Sequence, residues 1–227
     1  MKQIQHLAII MDGNRRWAKK QGKPKFFGHT EGAKNIKHIG LATIKHKIPH
    51  LTLYALSTEN LKNRSKLELK HIFSLVNKLP KYLSDLLDND VKLNTIGDLT
   101  KLPKKTKDIL ENLKQKTSHH KTLTLTLAIN YGGQDEITRA VQTIVSKNIP
   151  PEKINYETIN ENLDTYGLPP VDLLIRTGGN QRLSNFLLWQ SAYAELYFTD
   201  TFWPAFDNKE LNKALNYFKE SQRNFGK

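Results

Sequence analysis

The chain contains no cysteine. That single absence removes disulfides, thiolate metal sites and thiol nucleophiles, and it fits a reducing compartment. No apolar run approaches the roughly 18 residues of a membrane span. The run Ile9 to Met11 is cut short by Asp12, which argues against a secretory signal. Acidic residues are scarce: 22 Asp and Glu stand against 35 Lys and Arg, for a formal net charge of +13. Such a balance attracts polyanions (nucleic acid, an anionic membrane face or phosphorylated small molecules) without choosing among them. Several catalytic signatures are missing: the G-x-x-x-x-G-K-[ST] phosphate loop, the G-x-S-x-G elbow and the H-E-x-x-H zinc helix. An Asp-rich D-D-x-x-D pair is absent too, and SDLLDND at 84–90 comes nearest with the wrong spacing. There is no repeat, low-complexity tract or linker, so the 227 residues are expected to form one α/β domain over 1–227 in the cytoplasm.

What is present is an alternation of short β-rich runs and amphipathic helical stretches. The runs are HLAIIM at 6–11, LTLYALS at 51–57, VKLNTIG at 91–97, TLTLTLAINY at 122–131, DLLIRT at 172–177 and ELYFT at 195–199. Ile36, Ile39 and Ile44 fit one helix, and Ile137, Ala140, Val141, Ile144 and Val145 fit another. Alternating strands and helices imply βαβ units, hence a mostly parallel six-stranded sheet covered by helices. Ser65-Lys66-Leu67-Glu68 reads as a capping box opening a long helix with an apolar stripe from Leu69 to Leu87, which Pro80 should kink or split.

In a parallel sheet, ligands bind beyond the carboxyl ends of the strands. Four polar segments fall there: Asp12-Gly13-Asn14, Ser57-Thr58-Glu59-Asn60, Asn130-Tyr131-Gly132-Gly133 and Arg176-Thr177-Gly178-Gly179. Gly13 and Asn14 can take the positive-φ geometry that turns a strand sharply into a helix, leaving helix amides facing the rim. Arg15 and Arg16 add donors for phosphate oxygens. Asp12 beside them either pairs with an arginine or faces an anion through a divalent cation. Lys25, Gly28 and His29 precede another expected helix start. Arg176, Arg182 and Ser184 make a second phosphate cradle. Glu195 is an acid in the apolar run SAYAELYF, a setting that demands a partner, either an arginine or a magnesium ion shared with Asp12. Two anion cradles, two separated acids and no nucleophile describe a site for two phosphorylated substrates and a metal.

These stretches resemble the cis-prenyltransferase family. The match runs from HLAIIMDGNRRWAKKQG through FGHTEGAK, LTLYALSTEN, LNTIGD and NYGGQDEI to DLLIRTGGNQRLSNFLLWQSAYAELYFTDTFWPAF, so it covers nearly the whole chain. The resemblance implies a parallel-sheet α/β homodimer that elongates farnesyl diphosphate with isopentenyl diphosphate, using Mg²⁺ and ending near the undecaprenyl length. It implies that Asp12 is the catalytic acid and a Mg²⁺ ligand, with Glu195 as the second metal-linked acid, acting across the dimer. Gly13, Asn14, Arg15, Arg16, Trp17, Lys25 and His29 would surround the allylic diphosphate. Ser57, Thr58, Glu59, Asn60, Leu61 and Arg64 would form the loop that positions substrate, with Asn60 tied to proton removal. Arg176, Arg182, Leu183 and Ser184 would hold isopentenyl diphosphate. Departures from the family pattern are Arg15 for glycine, Lys25 for arginine, Leu61 for tryptophan with an extra residue before Arg64, and Asn224 for arginine in the tail.

The growing chain needs a dry wall, so part of the 67–87 stripe, the 36–44 helix and strand faces near Leu53 and Leu125 are assigned to a hydrophobic tunnel. The product would be delivered to the membrane, with the enzyme cytoplasmic or peripheral at the inner membrane face. A basic nucleic-acid-binding protein is the rival from a different class, disfavoured because the lysines are scattered and no such motif is present. A cis-prenyl synthase of different product length is the closer rival.

Overall fold

The computed structural model describes residues 3–221; the tail position Asn224 lies outside them. Six strands form one sheet: β1 (His6–Ile10), β2 (His50–Ser57), β3 (Val91–Ile96), β4 (Leu123–Tyr131), β5 (Leu173–Arg176) and β6 (Glu195–Phe198). Their order is β3-β4-β2-β1-β5-β6, and every neighbouring pair is parallel. The expected mostly parallel sheet is thus wholly parallel, with strand ends within one residue of the sequence reading. Along β1, Leu7 and Ile9 enter the larger apolar cluster while Ala8 and Ile10 enter a smaller one. Successive strand residues point to opposite faces, so both faces of this central strand are covered. Each fully buried aliphatic side chain here stabilises the fold by roughly 1.5–3 kcal/mol relative to exposure.

The helices are α1 (Asn14–Lys20), α2 (Lys25–Lys45), α3 (Thr58–Asn63), α4 (Lys66–Val76), α5 (Leu83–Asp88), α6 (Lys104–Lys116), α7 (Gly133–Ser146), α8 (Tyr156–Glu161) and α9 (Asn208–Glu220). One expectation is corrected. Lys25, Gly28 and His29 do not precede a helix; they are the first two turns of α2, which starts directly after Pro24. Glycine disfavours helix, but a Cβ on Gly28 would sit 2.0 Å from the Asn14 carbonyl oxygen. Close packing of α1 on α2 therefore overrides local propensity.

The 65–87 stretch splits at Pro80 as anticipated, into α4, a 3-10 turn Leu79–Tyr82 and α5. Ser65 caps α4 by accepting from the Glu68 amide at 3.3 Å. The return half of the capping box is not made, because the Glu68 carboxylate turns instead toward Lys25, His29 and Arg64. Among the described residues, no helix is long and apolar enough to cross a membrane.

His6 ties the entry of β1 to its neighbours. Its Nδ1 lies 2.7 Å from the Pro169 carbonyl oxygen and its Nε2 2.7 Å from the Thr52 hydroxyl. The neutral ring, donating from Nδ1 and accepting at Nε2, satisfies both partners. Burial, with His50 adding to it against the Pro169 bond, lowers the His6 pKa to about 4. Between about pH 6.5 and 4 the unfolded chain takes up a proton here that the folded chain refuses, so stability falls as pH drops through that window. Replacing His6 by Gln should flatten this slope, and denaturant titrations from pH 7 to pH 4 check it; an unchanged slope would contradict the assignment.

Candidate active site at the carboxyl rim of the sheet

β1 is flanked by β2 on one side and β5 on the other, and the chain leaves these strands in opposite directions across the sheet. That reversal of strand order opens a crevice beyond the strand ends. Asp12 follows β1 at this place and Arg176 ends β5 beside it. Gly13 makes the turn into α1 with φ 103°, and a Cβ there would meet Phe202 at 2.6 Å. Both conditions call for glycine. Asn14 is helical rather than left-handed, so Gly13 makes the turn alone.

The Asp12 backbone is fixed by two bonds to its carbonyl, from the Thr177 hydroxyl at 2.7 Å and the Trp203 amide at 3.0 Å. Its carboxylate is enclosed by donors. Oδ1 accepts from the Gly13 amide at 2.6 Å and lies 3.2 Å from Arg16 Nη2. Oδ2 accepts from Arg176 Nη2 at 3.0 Å and from Asn180 Nδ2 at 2.8 Å. Burial opposes the charge, but the bonds from Asn180 and Arg176 and the nearby guanidinium charges outweigh it and hold the carboxyl below its usual range. Asp12 is therefore ionised at neutral pH.

Arg176 is itself buried, and it also donates from Nη1 to the Ser184 hydroxyl at 2.6 Å and to the Arg182 carbonyl. Its Nε is buried with no hydrogen-bond partner among the described residues.

A second charged cluster joins α2 to α4. Glu68, nearly buried, lies 3.2 Å from His29 Nε2, 3.2 Å from Arg64 Nη1 and 3.6 Å from Lys25 Nζ. Burial works against its charge, and Arg64, His29 and Arg15 overcome that to keep it ionised. His29 goes the other way. Burial first, then the Arg64 charge, lowers its pKa to about 4 against the pull of Glu68, so the ring is neutral at pH 7.

These groups stand at the mouth of a cavity of about 1270 Å³. Asp12, Asn14, Arg15, His29, Ser57, Glu59, Asn60, Arg64, Arg176, Arg182 and Ser184 all line it. Below them the walls turn apolar. Leu123, Leu125, Leu127 and Ile129, alternate residues of β4, face the cavity over a strand length of about 20 Å at about 3.3 Å per residue. Ile36 and Ile44 of α2, with Ile72, Val76, Leu79 and Leu86, complete the wall. So the 36–44 helix, part of the 67–87 stripe, Leu125 and, beside Leu53 on β2, Ala55 and Leu56 share one cavity, although Leu53 itself does not line it.

A family model described as "Putative undecaprenyl diphosphate synthase" matches residues 10–226. The isoprenyl transferase of Treponema denticola is 45% identical over 225 residues, covering 99% of this chain and 98% of that protein. The farnesyl-diphosphate-specific ditrans,polycis-undecaprenyl-diphosphate synthase of Escherichia coli is 43% identical, covering 97% and 89%. The chain belongs to the undecaprenyl diphosphate synthase family. It is a prenyltransferase. The crystal structure of lavandulyl diphosphate synthase from Lavandula x intermedia in complex with dimethylallyl diphosphate superimposes with a TM-score of 0.96 at 35% identity, covering 99% of each chain.

Within this prenyltransferase fold, not every residue named from the sequence reaches the cavity. Arg16 pairs with Asp12, which lines the cavity, whereas Lys25 pairs with Glu68, which stands behind the lining residues His29 and Arg64. Trp17 stacks on Phe27 with ring centroids 5.8 Å apart. Thr58 opens α3 beside Gly132, Leu61 packs against the larger core cluster and Leu183 against the smaller one. Glu195 begins β6 opposite Leu173, which is itself opposite Leu7. It is thus five residues short of Asp12 along the strand direction, on the order of 15 Å away. Within one chain the two acids do not share a site.

Sequence reasoning missed Glu68, Asn180 and Asn185. Glu68 was visible only as a capping residue, and the two asparagines sat unremarked inside RTGGNQRLSNF.

Proposed function

We propose that the protein elongates farnesyl diphosphate with successive isopentenyl diphosphate units, forming cis double bonds up to the undecaprenyl (C55) length. The observation that carries this reading is the junction of an arginine-rich rim with a long apolar cavity. Charged headgroups and hydrocarbon tails need those two environments side by side. The chemistry breaks the allylic C–O bond, so that diphosphate leaves with the electron pair. The terminal alkene carbon of isopentenyl diphosphate bonds to the allylic carbon, and a proton is then lost from the carbon next to the one bearing its diphosphate.

Arg15, Arg16, Lys25 and neutral His29 face the allylic headgroup in this reading and stabilise negative charge as it grows on the leaving group. Arg176, Arg182 and Ser184 hold the second headgroup and aim its alkene, an orientation effect worth several kcal/mol. Asn60 is an amide and no base at neutral pH, so its role is to orient, with a diphosphate oxygen taking the proton.

Mg²⁺ fits the donor set. It binds through one or two carboxylates plus substrate phosphates and waters rather than in an all-protein cage. Among the described residues no group of three or more His, Asp or Glu side chains could hold a metal, and ionised Asp12 offers one of the one or two carboxylates this mode needs, with Glu195 of a second copy as the other. When bound, the ion supplies neutralisation of the diphosphate charge.

A homodimer belongs to the same proposal. Val141 and Val145 stand one turn apart on α7 and are 46% and 67% exposed, and the exposed Tyr156 stacks on Trp189. An uncovered apolar surface of this kind supports association. The enzyme would work in the cytoplasm, its excess positive charge favouring anionic lipid where the product is released.

The test is incubation with farnesyl diphosphate, radiolabelled isopentenyl diphosphate and Mg²⁺, with products sized by chromatography. A ladder ending near C55 is expected. No incorporation would refute the reading, and a ladder stopping after one or two additions would replace it by a short-chain synthase.

A further inference from the structure

Arg182, Ser184 and Asn185 line the cavity, and the segment that carries them adopts a backbone conformation that side chains disfavour. Ser184, Asn185 and Leu187 have φ of 49°, 63° and 45°. Asparagine tolerates the left-handed region better than most residues, and Ser184 and Leu187 occupy it only because the segment is held from outside. Arg176 holds the Ser184 hydroxyl, and the Tyr54 hydroxyl donates to the Ser184 carbonyl at 3.3 Å.

Asn185 is held at three points. Its carbonyl accepts from the Gly133 amide at 2.7 Å and its Oδ1 from the Gln134 amide at 2.9 Å, both at the start of α7. Its Nδ2 crosses to the other loop and donates to Glu59 Oε1 at 3.0 Å. Glu59 lies in the first turn of α3, next to Asn60, and Glu59, Asn60, Ser184 and Asn185 all line the cavity.

The crossing point is built for this contact. A Cβ on Gly132 would lie 2.7 Å from Asn185 Nδ2 and 2.9 Å from the Thr58 hydroxyl, so a bare glycine is what lets the two loops meet there.

We propose that Asn185 is a positioning residue that locks the isopentenyl-diphosphate loop to the helix carrying Glu59 and Asn60, setting the distance between the two reacting substrates. The proposal rests on the two-substrate reading above. Its physical basis is that a displacement of about 1 Å between reacting atoms costs on the order of a hundredfold in rate, and this amide joins the two loops that would carry them. The bond has a defined polarity: Asn185 donates and Glu59 accepts.

Reversing the polarity provides the test. Asn185→Asp keeps tolerance of positive φ and the acceptor for Gln134, but sets a carboxylate against Glu59. In the Glu59→Gln background the residue at 59 can donate to that same carboxylate. Asn185→Asp is expected to lower kcat/KM for isopentenyl diphosphate about tenfold with Glu59 present and less than about threefold in the Glu59→Gln background. The KM for farnesyl diphosphate should move less than about threefold in either background. Gly132→Ala, whose φ of −158° suits alanine, should displace the amide without changing either polar group and reproduce the loss.

Equal losses from Asn185→Asp in both backgrounds would overturn the proposal, as would an unimpaired Gly132→Ala enzyme. Absence of isopentenyl incorporation by the unaltered protein would instead overturn the functional reading on which it stands.

Discussion

Asp12→Asn yields a folded protein whose turnover falls by roughly a thousandfold, the scale set by losing a preorganised charge at a reacting centre. Asparagine is the informative replacement. Arg176 is buried beside Asp12 Oδ2, and alanine would leave that guanidinium without its carboxylate, a change that destabilises by several kcal/mol. The amide keeps the volume and one acceptor while removing the negative charge. Circular dichroism and thermal melting report the fold, and incorporation of radiolabelled isopentenyl diphosphate reports turnover. If Asp12→Asn retained even a tenth of the activity, Asp12 would be no more than a structural anchor for Arg176, Arg16 and Asn180.

Mixed dimers give the second large effect. Glu195 and Asp12 lie far apart within a chain, so a shared role requires Glu195 to enter the partner's site. Asp12→Asn and Glu195→Ala proteins should each be nearly inactive. Unfolded together and refolded in equal amounts, they should recover about a quarter of wild-type activity, because half the dimers are mixed and each mixed dimer has one intact site. If Glu195 acts within its own chain, every site in the mixture carries one defect and nothing returns. Equal activity of the separate Glu195→Ala protein and the wild type would remove Glu195 from the reaction altogether.

The strands were legible because their signal is local. Short β-branched and aliphatic runs such as LTLYALS and TLTLTLAINY end at Gly, Asn and Ser, and the interleaved helices forced a parallel sheet. The rim was legible for a related reason: parallel strands place their following loops on one edge, so four polar strand ends had to converge. The start of α2 was not legible. Gly28 reads as a residue before the helix until the packing of Asn14 against it, and against Gly32 one turn on, shows why no side chain fits there. Glu68 was hidden by a stronger local reading, since S-x-x-E at a helix start promises a capping box. Only the arrival of Lys25 and His29 from α2, beside the neighbouring Arg64, draws its carboxylate away.

From sequence alone come the parallel α/β architecture, the identity of Asp12, Arg176, Arg182 and Ser184 as rim residues, and the expectation of phosphorylated ligands. Each depends on residue type and on short-range order along the chain. Tertiary structure decides which carboxylates meet which cations, that β4 rather than Leu53 walls the cavity, that Glu195 is remote from Asp12 in its own chain, and that Asn185 bridges the two loops. Most of those outcomes depend on distances between segments from about forty to more than a hundred residues apart, which helix and strand periodicities do not encode.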